Sequence, residues 1–444
     1  LAALGLLRDV VAFADLLPLE DASASFNQLV GEAYLMSGDF AAACGIARRG
    51  VENDRSGYWL QVVALCRALE GNRAGAELAL DILADARAPQ PLYRALMARL
   101  LERMATQAVP PPFLWPVEEK ATPLTLALAL LLDIAVPPAA IPPDAAMMVS
   151  ALAVAPALAP GDRLKMAERA LAQGTLAAER FRALVLALDG PEGEAAGEGP
   201  LWRARQFQMA AAAQDPIARL DLLTGYWASA RRDDLLAPAA IASAPLTAAI
   251  EPHPDLLAWA PEVVRMLALA GARARIGEWY QMVRDAAPAG DAPMADRLLD
   301  IWALAVVADD RQMVPFSDRI LDLWYQTRSG REATGRGDRA LLFFSVLEGL
   351  GYVVPPLVWQ QLADLGVDIL ARSPAGQEWN GLVTAASAGR LGETAAFALA
   401  VLGSEGAVGA SPEALRSVLE SLRAVGLEDE ARQLAAEALM LRGF

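Results

Sequence analysis

Apolar residues recur at helical spacing from one end of the chain to the other, in segments separated by short glycine or proline breaks. No run alternates in the manner of a half-buried strand. Alanine and leucine dominate and β-branched residues are sparse, which favours helix over strand. The pattern predicts an all-α protein. Its clearest interruption is DGPEGEAAGEGP (residues 189–200), acidic, glycine-rich and without apolar anchors. We read it as a linker or loop between a helical region over residues 1–188 and a second over 201–444.

A second irregular stretch runs from about residue 109 to 143, where VPPPFLWP and VPPAAIPP flank one short helical segment. Such proline clusters serve either as extended recognition motifs or as helix-to-helix connections. In the second case Phe113 and Trp115 anchor the loop on the core.

The most informative pattern is GEAYLMSGDFAAA (residues 31–43). Gly31 and Ala33 are small where two helices cross, Tyr34 follows at helical spacing, SGDF breaks the helix, and Ala43 opens the next packed face. The pattern returns in EGNRAGAELALDIL (residues 70–83), with Gly71 thirty-three residues after Gly38 and Ala76 thirty-three after Ala43. A period near 34 residues with this turn resembles the tetratricopeptide repeat, over residues 25–88. Two family positions depart: Arg67 stands where a tyrosine is usual, and Arg55 where the first unit's closing proline is usual. Echoes occur at LAGARARIGEWYQMV (269–283), SAGRLGETAAFALAVLG (387–403) and AVGLEDEARQLAAEAL (424–439), the last two thirty-seven residues apart from Gly389 to Gly426. The expected architecture is an α-solenoid of stacked antiparallel hairpins, tetratricopeptide-like at first and irregular toward the C-terminus. The resemblance implies an inner wall that receives a peptide or a partner's helix.

It also implies that the helices carrying Cys44 and Cys66 run antiparallel with the two side chains roughly level. A disulfide there would place the chain in an oxidising compartment, the periplasm of a bacterium; the alternative is a pair of small buried hydrophobes in a cytoplasmic protein. Arginine so far outnumbers lysine (Lys120 and Lys165 are the only lysines) that the composition resembles that of a GC-rich bacterial genome. The chain begins at Leu1 rather than methionine, so we expect a native N-terminal segment to precede it, where a signal peptide or lipid anchor would stand.

A formal charge of −16 over 444 residues argues against nucleic acid and anionic membrane surfaces as partners. The longest apolar stretches, residues 123–138 and 145–160, are interrupted by Asp133 and Pro156, short of the roughly 20 residues a spanning helix needs. We expect no transmembrane segment.

Catalytic chemistry finds little material. The one histidine, His253, sits in EPHPD, which reads as an exposed turn; no C-x-x-C spacing or G-x-S-x-G elbow accompanies it. SGREATGRGDRA (329–340) lacks the phosphate-loop lysine and reads as a loop before a helix. Asp233–Asp234 and Asp309–Asp310 lie at helix ends, where carboxylates need no catalytic role. Eight of the ten tryptophans follow the linker, and Trp279–Tyr280 and Trp324–Tyr325 set two aromatics side by side. Hairpin packing accounts for any one of these rings, while as a set they suggest a partly exposed partner-binding groove in which one of each pair faces outward.

The sequence thus suggests a non-catalytic scaffold or adaptor, binding protein partners within a larger bacterial envelope assembly, without cofactor, metal or catalytic residues. The alternatives are a helical enzyme acting on glycans through two carboxylates and a cytoplasmic regulator sensing a peptide or small ligand.

Overall fold

The computed structural model describes residues 7–16, 22–53, 57–85, 90–106, 112–142, 145–156, 158–188, 198–286, 292–309, 311, 313–328, 333–364, 376–403 and 405–444. They form 24 α-helices and three short 3-10 turns, and no strand among the described residues. The fold is all-α, in two compact units, Leu1–Gln208 and Met209–Phe444.

The first unit begins with α1 (Leu7–Ala14), α2 (Ala24–Ser37), α3 (Phe40–Asn53), α4 (Gly57–Leu69) and α5 (Arg73–Asp85). Two turns define its hairpins. Gly38 ends α2 at φ +81°, Asp39 N–H donates to the Tyr34 carbonyl, and the Asp39 carboxylate accepts from Ala42 N–H. Gly71, Asn72 and Gly75 repeat this after α4: φ +76°, a bond from Asn72 N–H to the Arg67 carbonyl, and a side-chain cap on Gly75 N–H. A left-handed glycine satisfies the orphan carbonyls of one helix while the next residue caps its successor. The same glycine turn recurs at Gly271, Gly389 and Gly426, where sequence reading expected echoes.

Then come α6 (Pro91–Thr106), α7 (Pro123–Leu131), α8 (Ala146–Ala153), α9 (Pro160–Ala172), α10 (Ala178–Leu186) and α11 (Pro200–Ala212). Nearest-neighbour stacking holds from α2 to α5, but α7 and α8 return to pack on α2. A strict solenoid touches only neighbours, so this unit is a helical array closed on itself. The proline-rich stretch is a connection: Trp115 Nε1 donates to the Glu119 carbonyl, Phe113 meets Trp115 edge-on at 6.5 Å, and Arg99 lies over the Phe113 ring.

The boundary between the two compact units falls inside α11; of the acidic stretch expected to divide the chain, residues 189–197 lie outside the described residues. Arg203 makes a bidentate pair with Glu168 of α9, both contacts 2.7 Å and both side chains buried. Gln208 donates to the Val185 and Leu188 carbonyls. These bonds hold the first turns of α11 to the first unit.

The second unit continues with α12 (Pro216–Arg232), α13 (Leu236–Ala248), α14 (Ala260–Leu269), α15 (Ile276–Asp285), α16 (Ala292–Ala308), α17 (Asp318–Arg328), α18 (Ala333–Gly349) and α19 (Pro356–Asp364). It ends with α20 (Gln377–Ser387), α21 (Leu391–Leu402), α22 (Gly406–Gly409), α23 (Pro412–Ala424) and α24 (Glu428–Leu441). The stretch read as a glycine-arginine loop is helical from Ala333. Glycine in a helix costs about 1 kcal/mol each, which burial of Phe343, Phe344, Val346 and Leu347 further along α18 offsets. Closure is again non-local: α23 packs on α18, and α24 on α14 and α16. Gln433 donates to the Leu269 carbonyl and Arg432 to the Val307 carbonyl across more than a hundred residues of chain.

Bare backbone makes close crossings possible. A Cβ on Gly50 of α3 would stand 2.5–2.9 Å from the indole of Trp59, a fully buried side chain of α4. In Gly50→Ala, better helix propensity offers about 1 kcal/mol, while overpacking a fixed ring costs about 1–3 kcal/mol. The variant is expected to lose stability in urea unfolding; a gain would show that Trp59 can move aside.

Candidate functional site

Cys44 on α3 and Cys66 on α4 are joined by a disulfide, Cα–Cα 5.7 Å, across the two hairpins. The bridge closes a loop of 22 residues, which the chain-entropy account makes worth about 3 kcal/mol. On α2, Tyr34 donates to the Asp15 carboxylate just past α1, and burial followed by that bond pushes its phenol up to about 12. Glu32 accepts from Gln28 at 3.0 Å, yet burial raises its carboxyl above the usual range. The Tyr58 hydroxyl is buried without a hydrogen-bond partner among the described residues, and burial first, then Glu32, raises its pKa.

The aromatic pairs do not form a groove. Trp279, Tyr280, Trp324 and Tyr325 are all buried. Trp324 packs on Phe343 at 4.5 Å and stacks on Phe444 at 5.7 Å, and Tyr325 tilts onto Phe344 at 6.0 Å. The ring expected to face outward lies inside the unit: α15 packs on α14 and α16, and Phe343 and Phe344 of α18 and the C-terminal Phe444 meet the α17 pair. His253 lies exposed in its turn, its Nδ1 accepting from Asp255 N–H. Asp234 is a left-handed residue (φ +57°) ending α12. Asp310 lies outside the described residues.

Asp309 has a structural task that leads to a site. Buried at the end of α16, its carboxylate accepts from Arg311 N–H at 3.1 Å and Val314 N–H at 2.7 Å. Trp302 Nε1 donates to the Pro315 carbonyl at 3.0 Å, and Phe316 stacks on the Trp302 ring. The segment 314–316 is thereby held as one wall of a cleft of about 570 Å³. Leu350, Gly351 and Tyr352, where α18 ends, form another wall; Tyr352 donates to the Val306 carbonyl and tilts against Phe316 at 4.9 Å.

Arg423 of α23 and Glu428 and Arg432 of α24 supply the charge. Glu428 sits between both guanidiniums, 2.8 Å from Arg423 Nε and 3.1 Å from Arg432 Nη2. Arg423 Nη1 also donates to the Gly349 carbonyl at 3.2 Å, and Arg432 Nη1 to the Val307 carbonyl at 2.9 Å. Arg432 is nine-tenths buried, whereas the Arg423 side chain is 32% exposed. Gly351 has φ +87°, and a Cβ there would lie 2.6 Å from Arg423 Nη1. The arginine therefore rests on bare backbone. Two guanidiniums and one carboxylate leave one positive charge beside two aromatic rings. The lining offers an anion a fixed donor; among the described residues Glu428 is its one carboxylate, and none of those lining it is serine, cysteine or histidine.

None of these cleft residues stood out in the sequence. They come from four separated segments. Compared with known proteins, the chain matches no family model, no curated protein and no solved structure. Among the described residues no helix is long and apolar enough to cross a membrane.

Removing the bridge in Cys44→Ala/Cys66→Ala is expected to cost about 3 kcal/mol of first-unit stability, read as a lower urea midpoint that reductant no longer affects. Glu32 has a folded-state pKa above its unfolded one, so its contribution is full below the unfolded value and is lost as pH rises through the folded one. Glu32→Gln should therefore raise Tm near neutral pH and leave it unchanged below about pH 4; an equal gain at both would assign the effect to packing.

Proposed function

We propose that the chain is a non-catalytic scaffold of tetratricopeptide-like hairpins that docks other proteins, as a component of a bacterial envelope assembly in the periplasm. The observation that carries the reading is the outer face of α5. Leu78 and Ile82, one helical turn apart, are 62% and 46% exposed on the helix that ends the disulfide-tied pair of hairpins. Stacked hairpins bury such a face under the next repeat, and here it faces solvent. Two neighbouring aliphatic side chains on a rigid helix suit a partner helix laid alongside. The Cys44–Cys66 bridge supports an oxidising compartment, and the formal charge of −16 discourages acidic and nonspecific partners over most of the surface. The glycan-hydrolysis alternative needs two carboxylates across a cleft, and among the described residues Glu428 is the one carboxylate lining the cleft of the second unit.

The test is affinity purification of the tagged full-length protein from gently solubilised source cells, beside Leu78→Asp/Ile82→Asp. Wild type should bring down a stoichiometric envelope partner that the variant, folded by circular dichroism, loses. Wild-type protein recovered alone after cross-linking would overturn the reading. Thiol alkylation before lysis reports the compartment: cysteines that label without reductant would place the chain in the cytoplasm.

A further inference from the structure

Over most of its surface this chain repels anions, yet the cleft of the second unit concentrates fixed positive charge against an apolar wall. Arg423 has five N–H groups. Its Nε is engaged by Glu428 and its Nη1 by the Gly349 carbonyl, while Nη2 meets no acceptor among the described residues. The guanidinium cannot easily swing away: Glu428 holds it at one end, a second arginine anchors that glutamate, and Gly351 seats it from below. A charged donor held by its own hydrogen bonds is preorganised, so a ligand does not have to order it. Val314, Pro315, Phe316, Leu350 and Tyr352 complete the lining.

We propose that this cleft binds a carboxylate carried by an apolar peptide segment. The inference rests on the scaffold reading and gives the second unit a ligand of its own. Charge selects the class. One excess positive charge matches a monoanion, and the acidic remainder of the surface disfavours polyanions such as nucleic acid. A guanidinium edge matches the two oxygens of a carboxylate. The rings of Phe316 and Tyr352 and the Val314 and Leu350 side chains would bury the residue beside the carboxylate. A volume of about 570 Å³ lies in the usual range of ligand pockets and suits a few residues rather than a whole helix. Two sources of this chemistry exist, a chain's C-terminal carboxylate and an Asp or Glu side chain, and the cleft chemistry is common to both.

The experiment is calorimetric titration of the full-length protein with three peptides: Ac-Gly-Ala-Leu-Val as the free acid, the same peptide as its C-terminal amide, and Ac-Gly-Ala-Glu-Val as the amide. Inorganic phosphate serves as a fourth probe. At least one carboxylate peptide should bind with a Kd in the micromolar range, at least tenfold tighter than the uncharged amide. The free acid binding alone assigns a chain terminus, and the glutamate peptide binding alone assigns an acidic side chain. Arg423→Gln should weaken that binding at least tenfold. Arg390→Gln, which removes one exposed charge paired with Glu393 elsewhere in the unit, should leave it within twofold. If Arg423→Gln fails to fold, the acid-against-amide comparison on wild type still decides. Equal binding of acid and amide, no binding of either carboxylate peptide at millimolar concentration, or phosphate binding as tightly as the peptides would overturn the proposal. So would unchanged affinity in folded Arg423→Gln. Loss of partner recovery in cells, by contrast, bears on the α5 face and leaves this titration untouched.

Discussion

A pair of short helices buries only the faces between them, and every helix of this chain spans 17 residues or fewer among the described residues. Helices of that length depend on tertiary packing, so each hairpin must find a cover for its remaining face. This requirement shapes both units. In the first, α7 and α8 return to α2; in the second, α24 inserts against α14 and α16. The means of closure are small residues facing large ones. Trp59 lies against Gly31 and Gly50, and Leu419 packs where Gly349 lacks a Cβ. Alanine-rich faces let backbones approach, and tryptophans fill what the alanines leave open. Trp227, Trp279, Trp302 and Trp324 are buried for this reason, which also removes them from any partner-binding surface.

Helix ends carry the second layer of specification. A left-handed glycine followed by a bond from the next residue back to the penultimate turn closes α2, α4, α14, α18, α20 and α23 alike. The device fixes the exit direction of the chain and thus the antiparallel course of its hairpins. At Gly351 it acquires a further consequence. The exposed backbone that ends α18 is where Arg423 comes to rest, so a turn residue becomes the seat of a charged cleft. The first unit locks its hairpins covalently instead, through Cys44 and Cys66 on facing helices.

Electrostatics separates the global from the local. A formal charge of −16 describes the surface as a whole, whereas the Arg423–Glu428–Arg432 group is held by carbonyls of α16 and α18 and by its own glutamate. A net negative charge disfavours polyanions, and it leaves room for a single fixed donor at one place. The α5 face and the cleft belong to different units and offer different chemistry, aliphatic on one and charged on the other.

Residue order alone determined much of this protein. Helical periodicity gave the all-α class, and the glycine turns at Gly38 and Gly71 gave the first two hairpins, because both signals are local and depend on backbone conformation a few residues apart. It also set Cys44 and Cys66 on neighbouring helices, although only the packed hairpins brought their sulfur atoms together. Tertiary structure decided what local spacing cannot encode. Trp279, Tyr280, Trp324 and Tyr325 are buried because distant helices cover them, and the first turns of α11 join the first unit because Arg203 meets Glu168 thirty-five residues away. The cleft, likewise, unites residues from Val314 to Arg432. Periodicity shows that a helix has a face to bury; which partner buries it depends on how the whole chain closes.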